Sequence, residues 1–522
     1  MRKYVLFCLL TGLVWPPGVL IGAEPPAKPD EVPAAKPAEK TAAESEKAKG
    51  KDGELKEKLV ESKHGVVIDG QKLEYTARAG TILLRDEAEK PTASIFYLAY
   101  TKDGITNASR RPVTFSFNGG PGSSSVWLQL GLLGPRRILL HDDGTPLPPP
   151  YKFVDNEYSL LDETDLVFID PVSTGFSRAV KPEDARKFHG VESDIESVAE
   201  FIRLYTTRNG RWGSPKFVIG ESYGTTRAAG LSGALRDHVR MNVNGIMLVS
   251  TVLNFGTISF APGNDLPYVL YLPTYAATAW FHKKLPPDLQ SLPLRDVLDK
   301  AETFAAKDYH AALLRGAALA PEARHAIIQD LARLTGLSAE YLDRADLRVP
   351  LNRFAEELLR ADNRVIGRFD GRYKGYVRDR AATGMEYDPS AEAVFSVFAS
   401  AFNLYLHDEL KYESDLPYEI LTNVGPWNWG EQNRYLDVAG TLADSLTRNP
   451  FLKVYVASGI FDLATPYFAT RYTFDHLGID PVLAKNVVMA EYTAGHMMYL
   501  NLPDLKKQKA DLARFIRQAT AE

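Results

Sequence analysis

The sequence predicts an α/β fold in which a mostly parallel central sheet carries helices on both faces and a helical cap insertion. Short, continuously apolar segments alternate with segments that repeat apolar residues at helical spacing. Continuous apolar runs are typical of central strands covered on both faces, and strand–helix–strand repetition favours a parallel sheet. The alternation stops between about 254 and 436, where Ala, Leu and Arg recur at helical period, which predicts the insertion.

The strands can be assigned in chain order. Two antiparallel strands are expected at 66–76 and 94–100, joined through Gly80 and Asp86. Further strands are expected at 113–117, 166–169, 217–219, 245–250, 454–457 and 487–492. One crossover helix is indicated by apolar residues at helical spacing, namely Val191, Ile195, Val198, Ile202 and Tyr205.

Composition and charge exclude several classes of protein. The 522 residues are 45% hydrophobic and 11% aromatic, which is ample for a large core. A formal net charge of -5 gives no basic footprint for a nucleic acid. No His-Glu-x-x-His or comparable ligand spacing occurs among the ten histidines, and the single cysteine is Cys8. We therefore expect no metal, no cofactor and no cysteine nucleophile.

The N-terminus predicts export to the periplasm or the extracellular space. A basic start precedes an apolar run over 4–14, and small residues follow at Gly22 and Ala23. This order is typical of a secretory signal peptide, here 1–23. The alternative is a retained N-terminal anchor, although the run is short for a membrane-spanning helix.

A low-complexity segment follows the predicted signal peptide. Residues 24–61 consist largely of Ala, Pro, Glu and Lys, which cannot bury enough apolar surface to fold. We expect a disordered spacer there and one folded domain over 62–522, with its insertion at about 254–436.

A candidate nucleophile follows the strand at 217–219. Residues 220–224 read Gly-Glu-Ser-Tyr-Gly, and a helix-compatible stretch begins at Thr225. A strand, a sharp turn and a helix are what a G-x-S-x-G nucleophile elbow requires. The pattern indicates Ser222 as the nucleophile, although a glycine-rich turn with an ordinary serine would read the same way.

An acid and a base are found after later strands. Asp462 follows the strand at 454–457, and His496 follows the strand at 487–492. Enzymes of the α/β-hydrolase fold present their triad in the chain order Ser, acid, His. The sequence therefore predicts that fold, with Ser222, Asp462 and His496 as the catalytic triad. His476 is the rival base, but it lies in a predicted helix.

A glycine-rich loop follows the strand at 113–117. It reads Asn-Gly-Gly-Pro-Gly over 118–122, and glycines allow backbone N–H groups to approach a ligand. After an early strand, such a loop supplies one donor of an oxyanion hole. The N–H group of the residue after the nucleophile, Tyr223, supplies the other.

Taken in order, these segments resemble the serine carboxypeptidase family, as a bacterial-type member. Residues 118–125 are similar to the family's N-G-G-P-G-C-S-S, and 170–177 are similar to its D-Q-P-V-G-T-G-F-S, one residue shorter. Residues 220–223 match its G-E-S-Y, and 495–497 match its G-H-M. The ordered matches extend over roughly 111–503.

The resemblance implies roles for further residues. The N–H groups of Gly120 and Tyr223 would form the oxyanion hole. Asn118, the Gly119 backbone and Glu221 would hold the C-terminal carboxylate of a peptide. In the family an acid beside the nucleophile binds that carboxylate by keeping a proton, since two carboxylates in contact share one. The resemblance thus implies an acidic working pH.

The sequence also departs from the family pattern. Ser123 stands where the family has a cysteine, and Leu132 stands where it has a second glutamate in an E-x-G-P context. Recognition of a free C-terminus is therefore less secure than hydrolysis. Three arginines are candidates to bind the C-terminal carboxylate of the substrate in place of the absent glutamate: Arg136, Arg137 and Arg227.

The expected function is a serine carboxypeptidase that acts on peptides through an acyl-enzyme on Ser222. An esterase or acyltransferase with the same triad is the alternative, and a non-catalytic envelope-binding protein is a third. The oligomeric state and the residues preferred around the scissile bond stay open. Aromatic residues of the insertion either line a side-chain pocket or pack the insertion onto the sheet: Tyr268, Tyr271, Tyr275, Trp280 and Phe281.

Overall fold

The computed structural model describes residues 56–381 and 384–521. The predicted signal peptide, Cys8 and most of the predicted spacer lie outside the described residues. The strands are β1 Leu59–Ile68, β2 Gln71–Arg85, β3 Pro91–Lys102, β4 Val113–Phe117, β5 Arg136–Ile138, β6 Phe153–Asp155, β7 Asp165–Ile169, β8 Arg178–Ala179, β9 Lys216–Ser222, β10 Gly245–Thr251, β11 Arg364–Ile366, β12 Lys374–Tyr376, β13 Lys453–Gly459 and β14 Val487–Tyr492.

The helices lie mainly between these strands and within the insertion. They are α1 Val126–Leu128, α2 Val191–Arg208, α3 Tyr223–Ala234, α4 Leu266–Phe281, α5 Pro287–Gln290, α6 Leu294–Phe304, α7 His310–Arg315, α8 Pro321–Thr335, α9 Ala339–Arg344, α10 Leu351–Glu357, α11 Pro389–Asp408, α12 Ala439–Arg448, α13 Tyr467–Asp475, α14 Pro481–Ala484 and α15 Leu502–Thr520. Within the described part of the chain, no helix has the length and apolar character needed to cross a membrane.

The central sheet has ten strands and is mostly parallel, as predicted. Its order is β1-β2-β3-β7-β4-β9-β10-β13-β14, with β8 paired to β3. All neighbours from β7 to β14 run parallel, whereas β1, β2, β3 and β7 pair antiparallel in succession. Parallel strands end at one edge of a sheet, so the loops after β4, β9, β13 and β14 share that edge.

Both faces of the sheet are covered because neighbouring residues of each strand enter different cores. In β9, Phe217 and Ile219 pack into the core that contains α11 and α15, while Val218 packs into the core of α2, α3 and α12. The predicted periodic face of the crossover helix, now α2, lies in that second core. The two edge strands are exceptions. The strand β14 exposes Val488 and Met489, and β1 exposes Leu59 and Val67.

The first hairpin differs from the prediction. The strand expected at 66–76 contains a turn at Asp69–Gly70, where φ is 47° and 75°, and Ile68 pairs with Gln71 across it. Asp-Gly is a strong signal for a two-residue hairpin turn, and the apolar residues on both sides obscured it. Moreover, β1 begins at Leu59, so the last residues assigned to the spacer already pair with β2.

The insertion between β10 and β13 is helical as expected, but it also holds a small antiparallel pair, β11 and β12. Two of its aromatic residues pack within the insertion itself and not onto the sheet. Tyr271 and Tyr275 are buried in the insertion's own core. The Tyr275 ring stacks on the Phe354 ring, with 3.9 Å between the ring centroids. After α11 the chain returns along the loops of the sheet edge, where Leu421 bridges to Ser123.

Candidate active site

Ser222 lies at a sharp turn between β9 and α3. It is the last residue of the strand, and its backbone has φ 60° and ψ −131°. A positive φ is uncommon for a residue with a side chain and marks a constrained turn. This strand–turn–helix geometry is that of a nucleophile elbow.

Asp462 and His496 lie on the loops after β13 and β14 and contact each other. His496 Nδ1 is 2.8 Å from Asp462 Oδ2, and both side chains are buried. Backbone N–H groups of Ala464 and Thr465 donate to Asp462 Oδ1, and the Thr465 hydroxyl donates to Oδ2 at 2.7 Å. The carboxylate is therefore held in one orientation and fixes the imidazole.

The charge state of His496 depends on that contact. Burial is the largest single influence and lowers its pKa, but the charge and the hydrogen bond of Asp462, with a further contribution from Glu221, together raise the pKa of His496 above its ordinary value. A base that is readily protonated and held by a buried carboxylate is suited to shuttle a proton.

A segment of the insertion, Arg368–Arg372, holds both loops. The His496 N–H group donates to the Phe369 carbonyl at 2.6 Å, and the Phe369 ring stacks on the imidazole at 5.1 Å. Asp370 accepts the Gly495 N–H group at 3.0 Å. On the other loop, the Leu463 N–H group donates to the Arg368 carbonyl at 3.1 Å.

Ser222 and His496 line one cavity of about 480 Å³. Asp462 lies behind His496 and is fully buried. The other lining residues come from the glycine-rich loop, the insertion and the returning chain: Asn118, Gly119, Gly120, Pro121, Ser123, Trp127, Glu221, Arg368, Phe369, Val394, Phe395, Leu421, Thr422, Asn423 and Met497. Within residues 56–381 and 384–521, no group of three or more His, Cys, Asp or Glu side chains is placed to hold a metal ion.

The glycine-rich loop lies against the elbow. A methyl group on Gly119 would lie 2.5 Å from the Tyr223 nitrogen and 2.7 Å from the Gly224 nitrogen, so this contact requires glycine. Gly119 and Gly120 both line the cavity, and Tyr223 is the first residue of α3. The two predicted oxyanion donors, Gly120 and Tyr223, therefore belong to segments in direct contact.

Glu221 lines the same cavity with its carboxyl group largely buried. Asn118 Nδ2 donates to Glu221 Oε2 at 3.1 Å, and the Tyr499 hydroxyl donates to the same oxygen at 2.6 Å. Burial raises the pKa of Glu221 to about 7, against an ordinary value of 4.5. A carboxyl group with this pKa is protonated at acidic pH and donates a hydrogen bond.

The predicted substitute cations do not reach the cavity. Arg227 is 1% exposed, pairs with Asp194 and donates to the Asn118 carbonyl. Arg136 pairs with Glu409 and Asp155, and Arg137 pairs with Glu157. These carboxylates lie far away in the sequence or on other elements, so the sequence did not reveal them.

Sequence reasoning missed most residues that the insertion and the returning chain bring to the site, and three of the missed residues matter for its chemistry. Arg368 is the arginine that lines the cavity, and Phe369 lines it beside His496. Tyr499 contacts Glu221, which lies 278 residues earlier. Its position three residues after His496 is the only local signal. The rival base His476 is exposed at the end of α13, and its Nδ1 bonds to the Tyr472 carbonyl.

The sheet order, the elbow and the loops after β13 and β14 define the α/β-hydrolase fold. The model of the serine carboxypeptidase family matches residues 71–261. Over this segment the chain is similar to the serine carboxypeptidase family. The match contains Asn118, Glu221 and Ser222, whereas Asp462 and His496 follow it.

Individual members of this family show the same partial similarity. Serine carboxypeptidase-like 35 of Arabidopsis thaliana is 28% identical over 178 residues, which cover 32% of this chain and 35% of the relative. Pheromone-processing carboxypeptidase KEX1 of Saccharomyces cerevisiae is 34% identical over 131 residues, covering 23% of this chain and 16% of that one. The matched segment thus spans about a third or less of these relatives.

The fold extends further than the sequence similarity. The crystal structure of the yeast prohormone-processing carboxypeptidase KEX1 superposes with a TM-score of 0.55 at 18% identity. The superposition covers 85% of this chain and 92% of the yeast chain. At this identity the likeness establishes a common fold.

Proposed function

We propose that the protein is a serine carboxypeptidase that removes C-terminal amino acids from peptides through an acyl-enzyme on Ser222. The observation that carries the proposal is one cavity lined by a strained serine, a carboxylate-bound histidine and a buried carboxyl group. The first two supply hydrolysis, and the third supplies recognition of a free C-terminus. The similarity to the serine carboxypeptidase family supports this proposal.

In the proposed reaction, Ser222 Oγ attacks the carbonyl carbon of the last peptide bond, and His496 Nε2 accepts the hydroxyl proton. Asp462 holds the Nδ1 side of the imidazole. The N–H groups of Gly120 and Tyr223 stabilise the negative charge on the carbonyl oxygen. His496 then gives its proton to the leaving amine, and the C–N bond breaks.

The acyl-enzyme is hydrolysed in the second half of the reaction. A water molecule takes the place of the released amino acid, His496 removes one of its protons, and the oxygen attacks the acyl carbon. The bond to Ser222 Oγ breaks, and His496 returns the proton to the serine. Atoms and charge balance without a cofactor.

Recognition of the C-terminal carboxylate is proposed for Asn118, the Gly119 backbone and Glu221. Neutral Glu221 donates a hydrogen bond to the carboxylate, whereas ionised Glu221 repels it. With a pKa raised to about 7 by burial, Glu221 keeps its proton at acidic pH. Activity on peptides with a free C-terminus is therefore expected to fall as the pH rises through about 7.

A second candidate, an esterase or acyltransferase, is favoured by one observation. Leu132 is buried and does not line the cavity, so the turn it belongs to presents no acid to the substrate. Such an enzyme would use the same triad on substrates without a carboxylate. We further propose that the protein works after export, which rests on the N-terminal residues 1–23 alone.

Release of a free amino acid from an N-blocked dipeptide tests the proposal. The dipeptide, its C-terminal amide and an N-blocked ester are compared from about pH 4 to about pH 8, with Ser222→Ala as the control. Serine-dependent cleavage that favours the free acid and weakens at high pH supports the carboxypeptidase. Hydrolysis of the ester alone identifies the second candidate.

A further inference from the structure

Tyr499 is a buried residue of the site that the proposed reaction does not use. It lies in the short turn Met498–Leu500, directly after the loop that carries His496. Its side chain is 1% exposed, and its hydroxyl donates to Glu221 Oε2 at 2.6 Å. A buried phenol in so short a contact with a carboxyl group of the cavity acts on the state of that carboxyl group.

The chain makes room for the Tyr499 ring at Gly131. A methyl group on Gly131 would lie 2.3 Å from Tyr499 Cε2, so any other residue there would displace the ring. The neighbouring Leu132 belongs to the same turn, Gln129–Leu133, and is buried in the apolar core. The turn Gln129–Leu133 therefore brings no acid to Glu221, and the group that contacts Glu221 beside this turn is the phenol of Tyr499.

The hydrogen bonds to Glu221 all end on one oxygen. Asn118 and Tyr499 both donate to Oε2, and no other described residue is hydrogen-bonded to the carboxyl group. The orientation of the Asn118 amide follows from its other bond, since its Oδ1 accepts the Leu128 N–H group at 3.1 Å. Nδ2, which can only donate, must then point at Glu221.

This asymmetry decides where a proton can sit. A proton on Oε2 would face either the Asn118 amide, which has no lone pair to accept it, or the Tyr499 hydroxyl, which would then have no other described acceptor for its own proton. A proton on Oε1 meets no such donor, and Oε1 is the oxygen left for a ligand. We propose that Tyr499 is a positioning residue that directs the carboxyl proton of Glu221 onto Oε1, where it binds the carboxylate of the peptide substrate.

The proposal rests on the carboxypeptidase function and makes its pH dependence specific. Burial raises the pKa of Tyr499 well above its ordinary value, so its hydroxyl stays a donor through acidic and neutral pH. The charges that act on Glu221 come from His496, which favours the ionised form, and Asp462, which opposes it. The proton that binds substrate is thus held by Glu221 alone and is not shared between two acids.

Tyr499→Phe tests the proposal, because it keeps the ring and removes only the hydroxyl. The readout is the ratio of kcat/KM for an N-blocked dipeptide to that for an N-blocked ester, across pH. The ionised form of Glu221 loses a donor, so the alkaline midpoint of this ratio should rise by about one pH unit or more. The KM for the dipeptide at the acidic plateau should also rise, since the proton is no longer confined to Oε1.

A matched control and a second variant complete the experiment. Tyr492→Phe removes another buried hydroxyl, which donates to Asp511 at 2.9 Å away from the cavity, and should leave the midpoint unmoved. Gly131→Ala displaces the Tyr499 ring and should move the midpoint in the same direction as Tyr499→Phe. The proposal is overturned if Tyr499→Phe leaves either the midpoint or the plateau KM unchanged.

The two proposals fail in different ways. If the unsubstituted protein hydrolyses the ester and never the dipeptide, the carboxypeptidase function is wrong. If the unsubstituted protein prefers the free acid but Tyr499→Phe shows the same midpoint, only the role of Tyr499 is wrong.

Discussion

The buried carboxyl group of Glu221 makes the stability of the protein depend on pH, and Glu221→Gln should remove that dependence. Burial raises the pKa of Glu221 to about 7 in the folded protein, against 4.5 for an exposed group. The folded state therefore binds this proton more tightly than the unfolded state. The contribution to stability is complete below about pH 4.5 and is lost as the pH rises through about 7.

The size of the effect follows from the same values. Each tenfold change in proton affinity corresponds to about 1.4 kcal/mol, so the full loss is about 3 kcal/mol. Glutamine has a similar shape and carries no charge at any pH. The free energy of unfolding of Glu221→Gln minus that of the natural protein should therefore be higher by about 3 kcal/mol at about pH 8 than at about pH 4.5, so the variant gains relative stability as the pH rises.

Urea unfolding followed by tryptophan fluorescence measures both free energies at each pH. Glu87→Gln is the matched control, because it removes the same charge from the exposed turn between β2 and β3. Its difference from the natural protein should change little with pH. If the difference for Glu221→Gln is the same at both pH values, Glu221 is not a neutral buried acid, and the proposed recognition of a carboxylate loses its basis.

Three further predictions concern the catalytic loops, each measured on an N-blocked ester with circular dichroism as the test of folding. Asp462→Asn should lower kcat about 10⁴-fold with little change in KM, since the imidazole loses the partner that orients it; a loss below about tenfold would contradict this role. Gly119→Ala should lower kcat about 100-fold by pushing the glycine-rich loop off the elbow, whereas normal activity would show that the contact is dispensable. Asp370→Ala should lower kcat about 10-fold or more by releasing the Gly495 N–H group and loosening His496, and an equal loss in Arg372→Ala would implicate their ion pair.

The sequence was informative where structure depends on local pattern and chain order. The central strands appear within three residues of their predicted ends, because continuous apolar runs are diagnostic of buried parallel strands. Once the strands are known, their carboxyl ends must share one edge, and this brings the loops of Ser222 and His496 to one cavity. The Asp69–Gly70 turn was within reach of the same reasoning, since its dipeptide is a hairpin signal.

The rest of the site depends on contacts between distant parts of the chain. Tyr499 is paired with Glu221 across 278 residues, and neither residue carries a local sign of the other. Likewise, nothing near Arg227 in the sequence indicates that its guanidinium forms an ion pair with Asp194. Periodicity reports which face of an element is buried, but it does not report which partner a buried polar group will find.

Residues 368–372 connect the insertion to the loops that carry Asp462 and His496. Because this segment is hydrogen-bonded to the loops of both Asp462 and His496, the insertion holds the two residues that we propose for proton transfer. A swing of this segment away from the sheet would break the contacts that fix the imidazole. The same movement would then open the cavity and release His496 from its fixed orientation. An engineered protein without the insertion would keep Ser222 but lose the contacts that hold His496.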